Sequence, residues 1–396
     1  MPNRREFLRN VASATAGLAF AGGGPVEGAA LVTQAASAAG RRQVMLGGRR
    51  ITTIDIHAHC FVDVTNMLAE HEWANLLQRQ LALPGCQTIP CWGPDERGPG
   101  GVNAGRGGWN AHRVRLMDQL GVDMHALNIN PYWYTAEEGL ARELIQAQNE
   151  GLAAVCKAYP DRFVALASVA LQYPEMAADQ LEQAVTKLGL RGAAIGGNIN
   201  GEELGSPRLD PFWAKAQELG VLLYLHPQGD GKFEGRRFPE VTRTLWEGSG
   251  NLHNVIGNPL ETTIALAHLI FEGTFDRFPG LKICGAHGGG FLASYIGRSD
   301  ASCTWTPGPE NCKPLERHPS DYFKSNILCD SLVFNHHQLR YLVAQHGVSQ
   351  VVFGSDFPAG WPTKHVDDVL EADGLSDAEK EAILGGNLMK LLRIEA

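Results

Sequence analysis

The sequence predicts an α/β protein, a (β/α)8 TIM barrel with long insert loops after its first and fifth strands. Three observations predict it. Eight short apolar runs follow one another, ending near His59, Asn130, Val169, Asn198, His226, His287, Val333 and Asp356, and eight is the strand number of this barrel. Amphipathic segments separate most of them, and strand alternating with helix argues for a parallel sheet. Four runs end in a metal-binding side chain: ITTIDIHAH (Ile51 to His59), VLLYLHP (Val221 to Pro227), LKICGAHGGG (Leu281 to Gly290) and VVFGSDFP (Val351 to Pro358).

Before the barrel, residues 1–38 read as an export signal set apart from the fold. A charged start carries Arg4, Arg5 and Arg9, a weakly apolar Ala/Gly-rich stretch runs from Val11 to Val32, and Ala36-Ser37-Ala38 offers a small-residue cleavage site. Arg4-Arg5-Glu6-Phe7-Leu8 resembles the twin-arginine motif. That implies the twin-arginine export machinery as a partner, a periplasmic or secreted destination, and passage in the folded state with any cofactor already loaded. Of the 396 residues, 44% are hydrophobic and 19% charged, which suits a soluble protein with a substantial core. The net charge of −9, with no basic run, argues against nucleic acid as a partner and against stable membrane anchoring. Residues 39–396 are expected to form one catalytic domain.

In chain order, the first strand closes on His57 and His59. Phe61 to Arg113 is then too long, and too rich in Gly, Pro and Trp, for a simple connection. Helices are predicted over Leu140 to Tyr159, Glu175 to Leu188 and Pro211 to Leu219, by their amphipathic spacing. A second long stretch, Gln228 to Asn258, precedes helices over Glu261 to Phe271 and His336 to Gln345. Ser376 to Leu392 follows the last strand, with Ser376 as N-cap and Glu379 completing a capping box. Both long stretches follow ligand-bearing strand ends, so they are expected to be lids or substrate-contacting loops; the alternative is that they cover the barrel or form a subunit interface. Cys284 and Cys329 sit in apolar runs and are expected in the core. Cys86 with Cys91, and Cys303 with Cys312, lie in loop-like stretches where a local disulfide is open.

In Asp55-Ile56-His57-Ala58-His59, strand alternation places Asp55, His57 and His59 on one face, so two imidazoles point at one ion in the barrel mouth. Asp55 is expected to orient a ligand or to close the barrel floor. His226, just before Pro227, is the third candidate ligand. Asp356 ends an apolar run, where a carboxylate needs a metal or an arginine; the metal is the expectation. His287 either completes the coordination shell or stands beside it as general acid/base, and Gly288-Gly289-Gly290 lets backbone approach a ligand closely. Imidazole and carboxylate donors suit one divalent ion per subunit, zinc ahead of manganese. Asn198, not lysine, stands at the end of the fourth strand, leaving no obvious source for a carbamylated lysine bridging two ions.

Taken together, these residues resemble the amidohydrolase superfamily, in the branch of the aminocarboxymuconate-semialdehyde and hydroxybenzoate decarboxylases. The resemblance runs from about Ile51 to the C-terminus. It is carried by Asp55-Ile56-His57-Ala58-His59, His226-Pro227, Glu261-Thr262-Thr263 with Phe278-Pro279-Gly280-Leu281-Lys282, Ala286-His287-Gly288-Gly289-Gly290 and Ser355-Asp356-Phe357-Pro358. It implies that His57, His59, His226 and Asp356 bind one metal, usually zinc, with His287 the acid/base beside its water. It also implies that Arg298 reaches a neighbouring subunit's site and grips a substrate carboxylate, hence a homodimer. For a second substrate arginine, in the loop after the first strand, Arg106 is the candidate, with Arg97 behind it. Gln228 departs from the tryptophan that commonly follows His-Pro in that decarboxylase, so the fold carries over further than the substrate does.

The expected function is therefore a metal-dependent decarboxylase, a carbon-carbon lyase, of a small carboxylated unsaturated or aromatic compound. The same parts would serve a hydrolase of a lactone, ester, amide or C–C bond. A non-catalytic binding protein would keep the barrel without turnover.

Overall fold

The computed structural model describes residues 40–62, 64, 67, 108–228, 252–305, 314–358 and 365–395. All eight apolar runs are strands: β1 (Ile54–His59), β2 (Met124–Asn128), β3 (Phe163–Ala165), β4 (Gly192–Gly196), β5 (Leu222–His226), β6 (Lys282–Gly285), β7 (Ile327–Asp330) and β8 (Val351–Val352). They are parallel, paired in sequence from β1 to β3 and from β4 to β8. Bridges from Ala167 to Ala193 and from Ala58 to Phe357 join the two sets. At the second seam the Ile56 N–H donates to Phe353 O (3.1 Å) and the Phe357 N–H to His57 O (3.0 Å). The sheet thus closes on itself as the expected barrel.

Alternation sorts the strand side chains. Ile54, Met124, Val164, Ala194, Leu222 and Leu328 fill the barrel interior, whereas Phe163, Ala193, Leu223, Ile283 and Val351 face the surrounding helices. Those helices are α1 (Gly108–Leu120), α2 (Glu138–Ala158), α3 (Pro174–Thr186), α4 (Asp210–Leu219), α5 (Asn258–Phe271), α6 (Ile296–Trp305) and α7 (His336–His346). In α2 the buried Ala141, Leu144, Ile145, Gln148 and Leu152 recur at helical spacing, and each buried Leu or Ile contributes about 2 kcal/mol. The Glu137 carboxylate caps this helix by accepting the Gly139 and Leu140 N–H groups. The C-terminal α8 consists of Asp377–Glu381, a π turn at Ala382–Gly386 and Asn387–Leu391. Its predicted capping box between Ser376 and Glu379 is present, and its Leu388, with Leu392 just past its end, closes the barrel floor by joining the interior cluster.

Two expectations change. The long stretch after β1 is already helical from Gly108, where α1 begins, and the stretch after β5 ends in a π turn, His253–Gly257, that leads into α5. The parts expected to act as lids, 68–107 and 229–251, lie outside the described residues. Cys284 and Cys329 are buried and unpaired, as expected of core cysteines; the side chains of Cys86, Cys91, Cys303 and Cys312 lie outside the described residues. Among the described residues no helix is long and apolar enough to cross a membrane.

His346, the last residue of α7, is 2% exposed and stacks on Phe323, with ring centroids 4.5 Å apart. Burial pushes its imidazole down to about 4, against the pull of the Ile327 carbonyl 3.4 Å from Nδ1. An unfolded histidine titrates near ~6.5, so above that pH both states are neutral, and below it the unfolded chain takes up the proton first. Stability is therefore lost as pH falls from about 6.5 toward 4, by about 1.4 kcal/mol per pH unit. Urea unfolding between pH 7 and pH 5 should show a shallower loss for His346→Gln than for wild type, by about that slope; equal slopes would place the titration elsewhere.

Candidate metal centre

The first strand delivers two ligands because it is irregular. Asp55 pairs with His125, but Ala58 pairs with Leu127, so three steps on β1 match two on β2. Such a β-bulge reverses the in-out alternation and re-aims side chains. Ile54 and Ile56 lie in the barrel interior, and beyond the bulge His57 and His59 both turn into the mouth. The expectation that Asp55 shares their face is thereby corrected. Asp55 points away from them, 3.7 Å from His125 Nε2, and accepts the N–H groups of His57 (2.9 Å) and Ser355 (3.1 Å) and the Ser355 hydroxyl. Burial lifts its carboxyl to about 7, with the Ser355 hydroxyl and His57 pulling it back. Asp55 ties the bulge to the segment that carries Asp356; the floor is left to α8.

His57 and His59 from β1, His226 from the end of β5 and Asp356 beyond β8 converge, with one donor atom from each lying within 4.8 Å of the others. All are at the C-terminal end of the barrel, where this architecture places its active sites. Each histidine has its Nδ1 proton fixed by an acceptor. His57 Nδ1–H donates to Asp330 Oδ2 (2.8 Å) and His226 Nδ1–H to the Pro227 carbonyl (2.7 Å). His59 Nδ1–H donates to Asn128 Oδ1 (2.9 Å), whose amide orientation is set by donation to the Ile56 carbonyl (2.9 Å). Three Nε2 lone pairs therefore face inward. Asp356 Oδ1 lies 3.2 Å from His57 Nε2 and 3.1 Å from His59 Nε2, held there by a left-handed backbone at φ 60°. A side chain at Gly354 would come within 2.8 Å of Asp330 Cβ and 2.9 Å of His57 Cβ, so only glycine lets these strand ends meet.

The electrostatics call for a cation. Burial opposes charge on His57, but Asp356 and Asp330 on its two sides outweigh it and raise the imidazole to about 10. Burial alone would raise Asp356, yet His57 and His59 hold it well below the usual carboxylate range. Burial lowers His59, and burial with the neighbouring imidazoles drives His226 far down. His226 Nε2 is buried with no hydrogen-bond partner among the described residues. A buried, unpartnered nitrogen beside a carboxylate and two further Nε2 atoms fits a divalent ion.

His287 stands beside this group without belonging to it. Its ring centroid is 5.0 Å from that of His57 and 5.2 Å from that of His226, and its backbone is left-handed at φ 56°. The glycines behind it serve packing within the chain: a side chain at Gly290 would fall 2.2 Å from the Pro259 carbonyl, and one at Gly288 2.5 Å from Val333. Asn198 donates to Glu261 Oε1 (3.1 Å), which also accepts the Gln228 N–H (3.2 Å), bracing the turn after His226. Arg298 is exposed on α6, and Arg106 lies outside the described residues. Sequence reasoning missed Asp330 and Asn128, although each ends an apolar strand in a polar side chain, the signal that found Asp356. It also missed Arg113, which donates to the His59 carbonyl (2.7 Å) and to His125 Nδ1 (3.0 Å).

The Amidohydrolase family model matches residues 54–394. The 2-amino-3-carboxymuconate-6-semialdehyde decarboxylase of Dictyostelium discoideum is 31% identical over 315 residues, 77% of this chain and 78% of that protein. The gamma-resorcylate decarboxylase of Rhodococcus jostii (strain RHA1) is 29% identical over 301 residues, 72% and 87% of the two chains. Among solved structures, 5-carboxyvanillate decarboxylase from Sphingomonas paucimobilis shares the fold with a TM-score of 0.73 at 24% identity, covering 87% of this chain and 100% of that one. Dihydroxybenzoic acid decarboxylase from Polaromonas sp. JS666, with bound manganese and 2-nitroresorcinol, gives 0.70 at 24% identity over 87% and 98%. By the family match and the Dictyostelium relative, this chain belongs to the amidohydrolase family, in the branch that holds the aminocarboxymuconate-semialdehyde and gamma-resorcylate decarboxylases.

Proposed function

We propose that this chain is a metal-dependent decarboxylase, a carbon-carbon lyase, of a small carboxylated aromatic or unsaturated compound. One observation carries the reading: a buried centre of three histidines and one carboxylate at the barrel mouth, in a chain whose relatives are named decarboxylases. His57, His59, His226 and Asp356 would hold one divalent ion. Zinc suits this donor set, and manganese, present in the Polaromonas structure, is the other candidate. When bound, the ion supplies a Lewis acid for a substrate oxygen.

Exchanging a carboxylate for hydrogen releases carbon dioxide and consumes one proton, so the site needs a proton carrier. His287 is assigned that role. Burial, then the charge on His57, holds its imidazole down to about 4. His287 is assigned to take a proton from a substrate hydroxyl, leaving the oxyanion, and to pass it to the ring or chain carbon as the C–C bond to the departing carbon dioxide breaks; solvent then returns the proton to the oxyanion. Arg298 of a second subunit and Arg106 in the loop after β1 are assigned the substrate carboxylate, which guanidinium binds bidentately. The exposure of Arg298 on α6 supports an inter-subunit role. Residues 1–38 are assigned to twin-arginine export, supported by Arg4-Arg5-Glu6-Phe7-Leu8 and Ala36-Ser37-Ala38, and on that assignment the working enzyme would be periplasmic or secreted.

Purified protein should carry about one zinc or manganese per chain and release carbon dioxide from a panel of hydroxybenzoates, carboxyvanillate and carboxymuconate semialdehydes. Chelation should abolish release and metal should restore it; substrate loss without gas would make the chain a hydrolase instead. His287→Ala should keep its metal while kcat falls about 10²- to 10⁴-fold, and mixing it with Arg298→Ala should rebuild active sites across a homodimer. Loss of metal from His287→Ala would make it a ligand, and an inactive mixture would confine Arg298 to its own subunit. Replacing Arg4 and Arg5 together by lysine should trap unprocessed protein in the cytoplasm. Wild-type protein found there with its N-terminus intact would sink the export assignment.

A further inference from the structure

We propose that Asp330 is a positioning residue that fixes one metal ligand and the proton carrier with a single carboxylate. It ends β7 and is fully buried. Its Oδ2 accepts the His57 Nδ1–H (2.8 Å), the His287 backbone N–H (3.1 Å) and the Tyr224 hydroxyl (3.3 Å). Its Oδ1 accepts the backbone N–H groups of Gly288 (2.8 Å) and Leu332 (3.2 Å). On one side, an acceptor at Nδ1 commits His57 to the tautomer whose Nε2 lone pair faces the metal site. On the other, two successive amides are gathered on one carboxylate while His287 and Gly288 are both left-handed, at φ 56° and 67°. A non-glycine residue holds that conformation only where its surroundings impose it, and these two hydrogen bonds impose it on His287.

Asparagine cannot reproduce this arrangement, because it offers one acceptor and one donor. With its oxygen toward His57 and His287, its NH2 group opposes the N–H groups of Gly288 and Leu332. With the amide reversed, NH2 faces the His57 Nδ1–H and the His287 N–H. Either orientation abandons one of the two functions.

The ligand half of the proposal rests only on the metal centre, and the His287 half rests on the decarboxylase reading above. The test uses full-length Asp330→Asn and wild type, stripped of metal and titrated with Mn2+ against a chelating dye. The variant should bind Mn2+ about 10- to 100-fold more weakly. At saturating Mn2+ its kcat should remain depressed while KM for the carboxylated substrate stays near wild type. A folded variant with wild-type Mn2+ affinity and wild-type kcat overturns the proposal. Should Asp330→Asn fail to fold, zinc-loaded wild-type protein labelled with ¹⁵N-histidine decides instead. The Nδ1 proton of His57 is expected at lower field than those of His59 and His226, whose acceptors are neutral, and an unshifted proton refutes the link. If wild type releases no carbon dioxide from any substrate, the decarboxylase reading fails while the Mn2+ comparison still tests the ligand half.

Discussion

A buried carboxylate has to be matched by positive charge, and that requirement organises the mouth of this barrel. Asp330 and Asp356 are 0% and 8% exposed, and His57 lies between them, 2.8 Å from one and 3.2 Å from the other. An unmatched ion in such surroundings costs several kcal/mol. A proton on His57 or a divalent ion among the Nε2 atoms removes that penalty. The ion does so with the additional donors of His59 and His226, which a single proton leaves unused. The constellation is therefore most stable when loaded, and metal binding contributes to folding as well as to chemistry.

The rest of the barrel wall serves to hold this arrangement in register. Acceptors for the three Nδ1 protons come from three places: Asp330 on β7, Asn128 on β2 and the Pro227 backbone after β5. Behind β1, Arg113 bonds the His59 carbonyl and stacks 4.5 Å over Phe357, while Asp55 bonds both His57 and Ser355. These contacts link β1 to the segment after β8 at the seam where the sheet closes. Closure of the barrel and assembly of the ligand set are thus one structural event. A substitution that opened the seam would also pull Asp356 from the histidines.

The metal ligands were legible in the sequence because a polar side chain at the end of an apolar strand is costly to bury without a partner. Histidine and aspartate are the partners a metal needs. The same logic holds for Ile327-Leu328-Cys329-Asp330, but the apolar run resumes at Leu332-Val333 and hides the strand end at Asp330. Asp55 was misplaced for a different reason. Period-two alternation assumes a regular strand, and a bulge on β1 is set by pairing with β2, which no local pattern records. The helices α2 to α5 and α7 were legible from amphipathic spacing, whereas α1 was absorbed into a Gly-rich stretch. The family motif Glu261-Thr262-Thr263 acquires meaning only in three dimensions. Glu261 braces the turn after His226, and Thr263 accepts the Phe291 N–H (2.7 Å), bracing the turn after His287.

Under the proposed assignments, ion binding and substrate recognition fall on different parts of the chain. The residues that would bind the ion or fix a ligand lie on strands or in the short turns that follow them, Asp356 being the farthest out, four residues past β8. Of the two arginines proposed for the substrate carboxylate, Arg298 is exposed on α6 and Arg106 is outside the described residues. Loops and surface helices can change without disturbing a packed barrel. In this chain Gln228 marks the boundary. Its backbone N–H is fixed by Glu261, and its side chain donates to the Pro131 carbonyl (3.2 Å). It thus connects the turn after β5 to the segment after β2, at the first position beyond the ligand-bearing His226-Pro227. A change there would alter the approach to the ion while leaving the ligands in place, which is where a new substrate preference would be expected to arise.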